Sequence, residues 1–133
     1  MPIYQCYSPK ALLTKSMKAQ LADEITTIHT SATGAPELFV NVVFQEIDEG
    51  DCFVSREPST HSYIFGAIRH GRDIETRQAM LRELSRMWTR VTGQVEAELL
   101  IALTEFDPAN AMEAGMALPE PGHEREWLDN LGS

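Results

Sequence analysis

Basic residues are scarce in this chain. Only 11 lysines and arginines stand against 20 aspartates and glutamates, for a net charge of −9. Binding a phosphate backbone requires a basic face, so nucleic acid is not an expected partner. Cysteine is scarcer still, with only Cys6 and Cys52. Neither belongs to a Cys-x-x-Cys pair, and two thiols without a secretion signal read as reduced side chains of a cytoplasmic protein. A disulfide between them stays open, with nothing pointing to it. No apolar run approaches the ~20 residues that span a bilayer. The first residues also lack the charged and apolar regions of a signal peptide, so no membrane partner is expected. His61, His70 and His123 show no metal-ligand spacing, and there is no glycine-rich phosphate loop or nucleophile elbow. Neither a metal nor a cofactor is expected.

What is present is enough for one core. The 133 residues fit a single domain spanning 1–133, and a chain of this size hides roughly 65–70% of its unfolded surface. Pro2-Ile-Tyr-Gln-Cys-Tyr7 has the pattern of a strand, with proline acceptable at its first position. Thr14 is placed to cap a helix running to about Ala32, in which Leu21, Ile25, Ile28 and Ala32 recur at helical spacing. Thr33-Gly34 ends it. Leu38-Phe-Val-Asn-Val-Val-Phe44 reads as a well-buried strand, and the polar stretch from Ile47 to Thr60 as a loop or hairpin.

The pattern then restarts. Tyr63-Ile-Phe-Gly-Ala-Ile68 is a strand, Asp73 caps a helix with the stripe Leu81, Leu84, Trp88 and Val91, and Thr92-Gly93 ends it. Ala97-Glu-Leu-Leu-Ile-Ala-Leu103 is the last strand. The two Thr-Gly stops lie 59 positions apart, as do Glu37 and Glu96. The chain therefore divides into a pseudo-repeat, 1–46 and 61–106, and a tail, 107–133. Each half is a strand–helix–strand unit whose crossover makes its strands parallel. The expected fold is α+β, a four-stranded sheet with both helices on one face. The other face would stay bare, and self-association is the economical cover for its apolar residues. In the tail, a short helix is expected around Pro108 to Gly115. The proline-rich segment from Leu118 should not continue it, and Trp127 and Leu128 mark a segment that docks, with a neighbouring subunit one candidate.

Five residues are candidates for chemistry. Pro2 is a tertiary amide while Met1 remains, but a secondary amine once Met1 is lost. Such an amine titrates near ~8, lower beside cations or an apolar wall, and becomes a usable base. Many chains begin Met-Pro without using the proline, so the start alone decides nothing. Arg69 and Arg72, in Ile68-Arg-His-Gly-Arg72, are close enough to grip one carboxylate near a helix N-terminus, or are two solvated surface arginines. His29 sits at the edge of the first helix's apolar stripe, as a structural ring or as a hydrogen-bond donor to a substrate oxygen. Glu113 follows Met112 and precedes Ala114 and Met116. An apolar setting there would raise its pKa for proton transfer.

Together these residues resemble the tautomerase superfamily, and within it cis-3-chloroacrylic acid dehalogenase and its homologues. The resemblance rests on Met1-Pro-Ile-Tyr, His29, Phe44-Gln-Glu46, Arg69-x-x-Arg72 and above all the tail Leu118-Pro-Glu-Pro-Gly-His-Glu-Arg-Glu-Trp-Leu-Asp-Asn-Leu131. It covers essentially the whole chain. It implies a homotrimer, a processed N-terminal Pro2 as general base or acid, Arg69 and Arg72 on a substrate carboxylate, His29 assisting, and Glu113 helping to activate water. One position departs. Where the dehalogenase has a tyrosine that shares the water with the glutamate, this chain has Ala102. The resemblance therefore implies a cofactor-independent tautomerase acting on a small 2-oxo or enol carboxylate. The alternatives are a hydratase, dehalogenase or decarboxylase of unsaturated three-carbon acids, and a non-catalytic trimeric binding protein if Met1 is retained.

Overall fold

In a computed structural model, which describes residues 1–132, the chain opens with strand β1 (Ile3–Pro9) and helix α1 (Lys15–Thr33). The Thr14 hydroxyl accepts from the Met17 N–H at the start of α1, and Gly34, at φ 73°, closes it by donating to the Thr30 carbonyl. Glycine suits that left-handed position because it has no Cβ to clash. After a short turn comes β2 (Asn41–Ile47), then a tight hairpin of β3 (Phe53–Val54) and β4 (Glu57–Pro58). The second half runs β5 (Ser62–Arg69), α2 (Ile74–Thr92), β6 (Leu99–Phe106) and the hairpin β7 (Met112–Glu113) and β8 (Met116–Ala117). Asp73 caps α2 by accepting from the Thr76 N–H. A short helix, α3 (Glu124–Asp129), lies in the tail.

The sheet order is β2-β1-β5-β6. β1 is parallel to β2 and β5 to β6, while the two halves meet antiparallel through β1 and β5, with Cys6 opposite Ile64. The offset of 59 holds beyond the main elements. It relates Ile3 to Ser62, Lys15 to Ile74, Glu37 to Glu96 and Phe53 to Met112, so the small hairpins are repeated as well. The antiparallel central pair follows from placing two copies of one unit about a local twofold axis.

Both helices cover one face. Tyr4, Cys6, Ile64 and Ile68 from the strands pack with Leu21 and Ile25 of α1 and with Leu84, Met87 and Trp88 of α2. Each such aliphatic side chain contributes about 1.5–3 kcal/mol by leaving water. Gly66 has a specific role. A Cβ there would lie 2.7 Å from both the Leu103 Cδ2 and the Tyr4 ring, so its absence lets Tyr4 lie flat over β5. The other face stays open, with Val43, Phe65 and Leu100 substantially exposed. Both cysteines are free. None of the helices among the described residues is long and apolar enough to cross a membrane.

Four local expectations are corrected. Residues 37–39 form a 3-10 turn, so the strand starts at Asn41. Being an edge strand, β2 is also only half-buried, on alternate residues. Ala32 is exposed, and the buried line of α1 is Leu21, Ile25 and His29. The segment 108–115 is a 3-10 turn followed by the β7 strand, not a helix, whereas the tail beyond its prolines does form helix α3. The tail docks on its own chain. Trp127 meets Phe39 edge-on at 5.2 Å, with Leu118 beside them, and its indole N–H donates to the Ala117 carbonyl.

Candidate active site

Antiparallel pairing fixes which ends meet. Because Ile3 lies opposite Ala67, the chain's first residues sit beside the last residues of β5, where Arg69 emerges. His29, in the last turns of α1, lies below them. Hairpin β7–β8 brings Glu113, and α3 brings Glu124 and Trp127. Residues spread from 1 to 127 thus gather at one end of the sheet.

Pro2 is fully buried, and its carbonyl accepts from the Asn41 N–H at 3.0 Å. In this form of the chain its nitrogen is acylated by Met1. The Met1 amine stands in the site, donating to the Phe39 carbonyl at 2.9 Å and to Glu113 Oε2 at 3.0 Å. Glu113 is therefore ion-paired and about a third exposed, not set against the expected apolar wall.

His29 is 2% exposed and lies on the buried line of α1, not at its edge. Its Nδ1 is 2.8 Å from the Tyr4 hydroxyl. Burial, then the charges of Arg72, Arg69 and the terminal amine, push its pKa down to about 4. The ring is neutral near pH 7. Burial also raises the Tyr4 pKa, so its hydroxyl keeps its proton. If that hydroxyl donates to Nδ1, the histidine proton lies on Nε2, the remaining ring donor.

The two arginines differ. Arg69 is buried, with Nη1 donating to the Pro119 carbonyl and Nη2 to Glu124 Oε1, each at 2.8 Å, and its guanidinium 5.3 Å from the Phe39 ring centre. Arg72 has no ion pair among the described residues, and its buried Nε has no hydrogen-bond partner. Burial first, then Arg69, holds its pKa below the ordinary value. A buried donor left without a partner costs ~1–3 kcal/mol, which an arriving anion would recover. Burial pushes the Glu124 carboxyl up, but hydrogen bonds from its own backbone, Arg69 and the Gly122 N–H outweigh this and leave it net lowered.

Sequence reading missed Tyr4, Phe39 and Glu124. None has a local signal, because each acts on a residue 25 or more positions away. It also missed that His70, Asp107 and Glu120 present donor atoms within 4.8 Å of one another, a set exposed apart from the half-buried His70 and split over three segments. These are the residues most able to hold a metal ion. His70 already bonds Glu120 at 2.9 Å. A cavity of about 530 Å³ opens at the opposite end of the sheet, lined by Lys10, Asp48, Glu49, Cys52 and His61. By the 59-residue offset, His61 stands there where Pro2 stands here. Among the described residues, neither the amino terminus nor an arginine lines that cavity.

Comparison with known proteins identifies the family and the fold. The family model described as "Putative oxalocrotonate tautomerase enzyme" matches residues 1–130. No curated protein matches by sequence. Among solved structures, N1, a member of the cis-3-chloroacrylic acid dehalogenase family, is 29% identical with a TM-score of 0.92, covering 97% of this chain and 92% of its own. Native Ps01740 is 36% identical with a TM-score of 0.82, covering 84% and 99%. Pt0534 inactivated by 2-oxo-3-pentynoate is 25% identical with a TM-score of 0.79, covering 86% and 94%.

Proposed function

The chain belongs to this tautomerase family, and from that premise we propose that it moves a proton between carbon and oxygen of a small 2-oxo or enol carboxylic acid, with no cofactor. The observation that carries the reading is the seat of the amino terminus. It lies against Glu113, and its charge, like those of Arg72 and Arg69, acts on the buried neutral His29. Removal of Met1 makes Pro2, one residue in from this seat, a secondary amine. Cations nearby favour its neutral form, which is the base.

Arg72 offers the substrate carboxylate its unpartnered Nε, with Arg69 forming the wall behind. The His29 Nε2–H then faces the oxygen on which charge develops, where a preorganised donor lowers the barrier. Pro2 takes the proton from one atom and returns it to the other, and Glu113 orients the amine. Pt0534 was inactivated by an acid carrying a 2-oxo group, which supports the same class of ligand here. Ala102 lies on the open sheet face opposite Phe65 and supplies only a methyl group there. This favours proton transfer over hydration or dehalogenation, which need a held water. The open apolar face around Phe65 supports a homotrimer, and related folds of fused 4-OT are described as trimers.

The test joins mass spectrometry of the native amino terminus with turnover of phenylenolpyruvate. Pro2 should be the first residue, and Pro2→Ala should lower tautomerisation by about 10²-fold or more, the scale of a lost general base. A retained Met1, or wild-type turnover by Pro2→Ala, sinks the proposal and leaves the binding-protein reading.

A further inference from the structure

The repeat continues past the sheet into the segments that close each of its ends. Moved by 59 positions, Ile47, Cys52, Pro58 and Ser59 become Phe106, Ala111, Ala117 and Leu118. The two sets are folded alike. The Ser59 N–H donates to the Cys52 carbonyl at 2.9 Å, as the Leu118 N–H does to Ala111 at 3.0 Å. The Asp51 N–H donates to the Asp48 carbonyl, as the Asn110 N–H does to Asp107. In the second half this frame is the seat of the tail. Leu118 and Trp127 share a core against which Phe106, Ala111 and Leu128 pack, and the Trp127 indole N–H donates to the Ala117 carbonyl. The chain has two such frames and one tail. After β4 it runs straight on into β5, and there the frame encloses the cavity of about 530 Å³, with Ile47, Cys52, Pro58 and Ser59 in its wall. Small-molecule sites usually measure ~300–1,000 Å³.

The charges at this end differ from those at the arginine end. The counterparts of Arg69 and Arg72 are Lys10 and Leu13, so one guanidinium is replaced by an ammonium and the other by an apolar side chain. Lys10 pairs with Asp48 at 3.8 Å. Glu49, also in the cavity wall, has no ion pair among the described residues. An anion therefore finds no uncommitted cation there, whereas a cation meets a carboxylate. The geometry points to a second ligand site at this end of the sheet, for a flat aromatic body of indole size that carries an ammonium group. The wall built on the frame that seats Trp127 takes the ring, whose burial supplies most of the affinity. Glu49, exposed at the rim, meets the charge and supplies selectivity more than strength. The site needs no chemistry at Pro2, so it stands or falls separately from the carboxylate reading of the other end.

The test titrates tryptamine and indole-3-propionate into the full chain, followed by amide NMR. The two share one ring and one tether and differ in the sign of their charge. Tryptamine should shift Lys10 and residues 47–52 and 59–61, with a dissociation constant of about a millimolar or below, the scale for a ligand of about a dozen heavy atoms. At the same residues indole-3-propionate should bind about threefold or more weaker, the scale of one exposed ion pair. Any shifts it causes at Gly71 and Arg72 report the other end. Glu49→Gln removes the charge at an exposed position and should bring the two ligands to within about twofold. Thr60→Trp, also at an exposed position of the wall, sets a bulky ring against the cavity. It should weaken tryptamine by about tenfold or more as the ligand's ring loses buried area. Absence of tryptamine shifts at these residues, equal binding of the two ligands by the parent protein, an unchanged preference in Glu49→Gln, or unchanged tryptamine affinity in Thr60→Trp overturns the inference.

Discussion

Replacing Tyr4 by phenylalanine removes one oxygen atom from the floor of the site. That oxygen is 2.8 Å from Nδ1 of a histidine that is 2% exposed, and it is that nitrogen's one partner among the described residues. The phenyl ring keeps its contact above Gly66, so packing is nearly conserved. What remains is a buried ring nitrogen without a partner, at a cost of about 1–3 kcal/mol. For a chain of this size each kcal/mol lowers Tm by roughly 3–5 °C. The second effect is on chemistry. Without the phenol to hold the Nδ1 lone pair, the ring proton is no longer fixed on Nε2, and the donor facing the substrate oxygen is lost for part of the time. One net hydrogen bond of about 1.4 kcal/mol corresponds to a tenfold fall in kcat/KM. Thermal melts by circular dichroism and initial rates with an enol acid, both near pH 7.5, measure the two effects. A Tyr4→Phe protein that melts within about 1 °C of the parent and turns over at the parent rate would refute the linkage between Tyr4 and His29.

Three further outcomes are expected. The His29 pKa falls from 6.5 to about 4 on folding, mainly through burial, so the unfolded chain binds more protons in that interval. The stability that the neutral ring contributes is complete above about pH 6.5 and is lost as pH falls towards 4, by about 3 kcal/mol at 1.36 kcal/mol per pH unit. Urea midpoints at pH 7.5, 5.5 and 4.5 read this, and His29→Gln should flatten the slope above pH 5. Ala102→Tyr should raise hydration or halide release from cis-3-haloacrylates more than it raises tautomerisation, and rapid halide release by the unmodified protein would reverse that ordering. Light scattering at micromolar concentration should give the mass of three chains, and a monomer would contradict the burial argument built on Val43, Phe65 and Leu100.

Much of the fold was written in local pattern. Thr14 and Asp73 as caps, Gly34 and Gly93 as stops, and the 59-residue offset are properties of neighbouring residues, and each is where the sequence placed it. The family, too, was legible, because its motifs are spread over the whole chain in order. Errors fell where local propensity competes with distant packing. Leu38 and Phe39 extend the apolar run that leads into β2, yet Phe39 packs against Trp127 and Arg69, and a turn delivers it there. Ala32 fits the helical period, but it is exposed, and the buried line of α1 ends at His29.

The candidate site divides along the same line. The sequence by itself determined which groups are available: an amine at the start, a histidine on a helix, and two arginines after a strand. Only the tertiary structure decided their states. Antiparallel pairing of β1 with β5 brings the amino terminus to Arg69. The tail's Glu124 ion-pairs with Arg69, and burial beside Tyr4 makes His29 a neutral ring. Charge state and hydrogen-bond partner depend on what surrounds a group in space. In this chain the surroundings come from residues 25 to 112 positions away, beyond the reach of any local pattern.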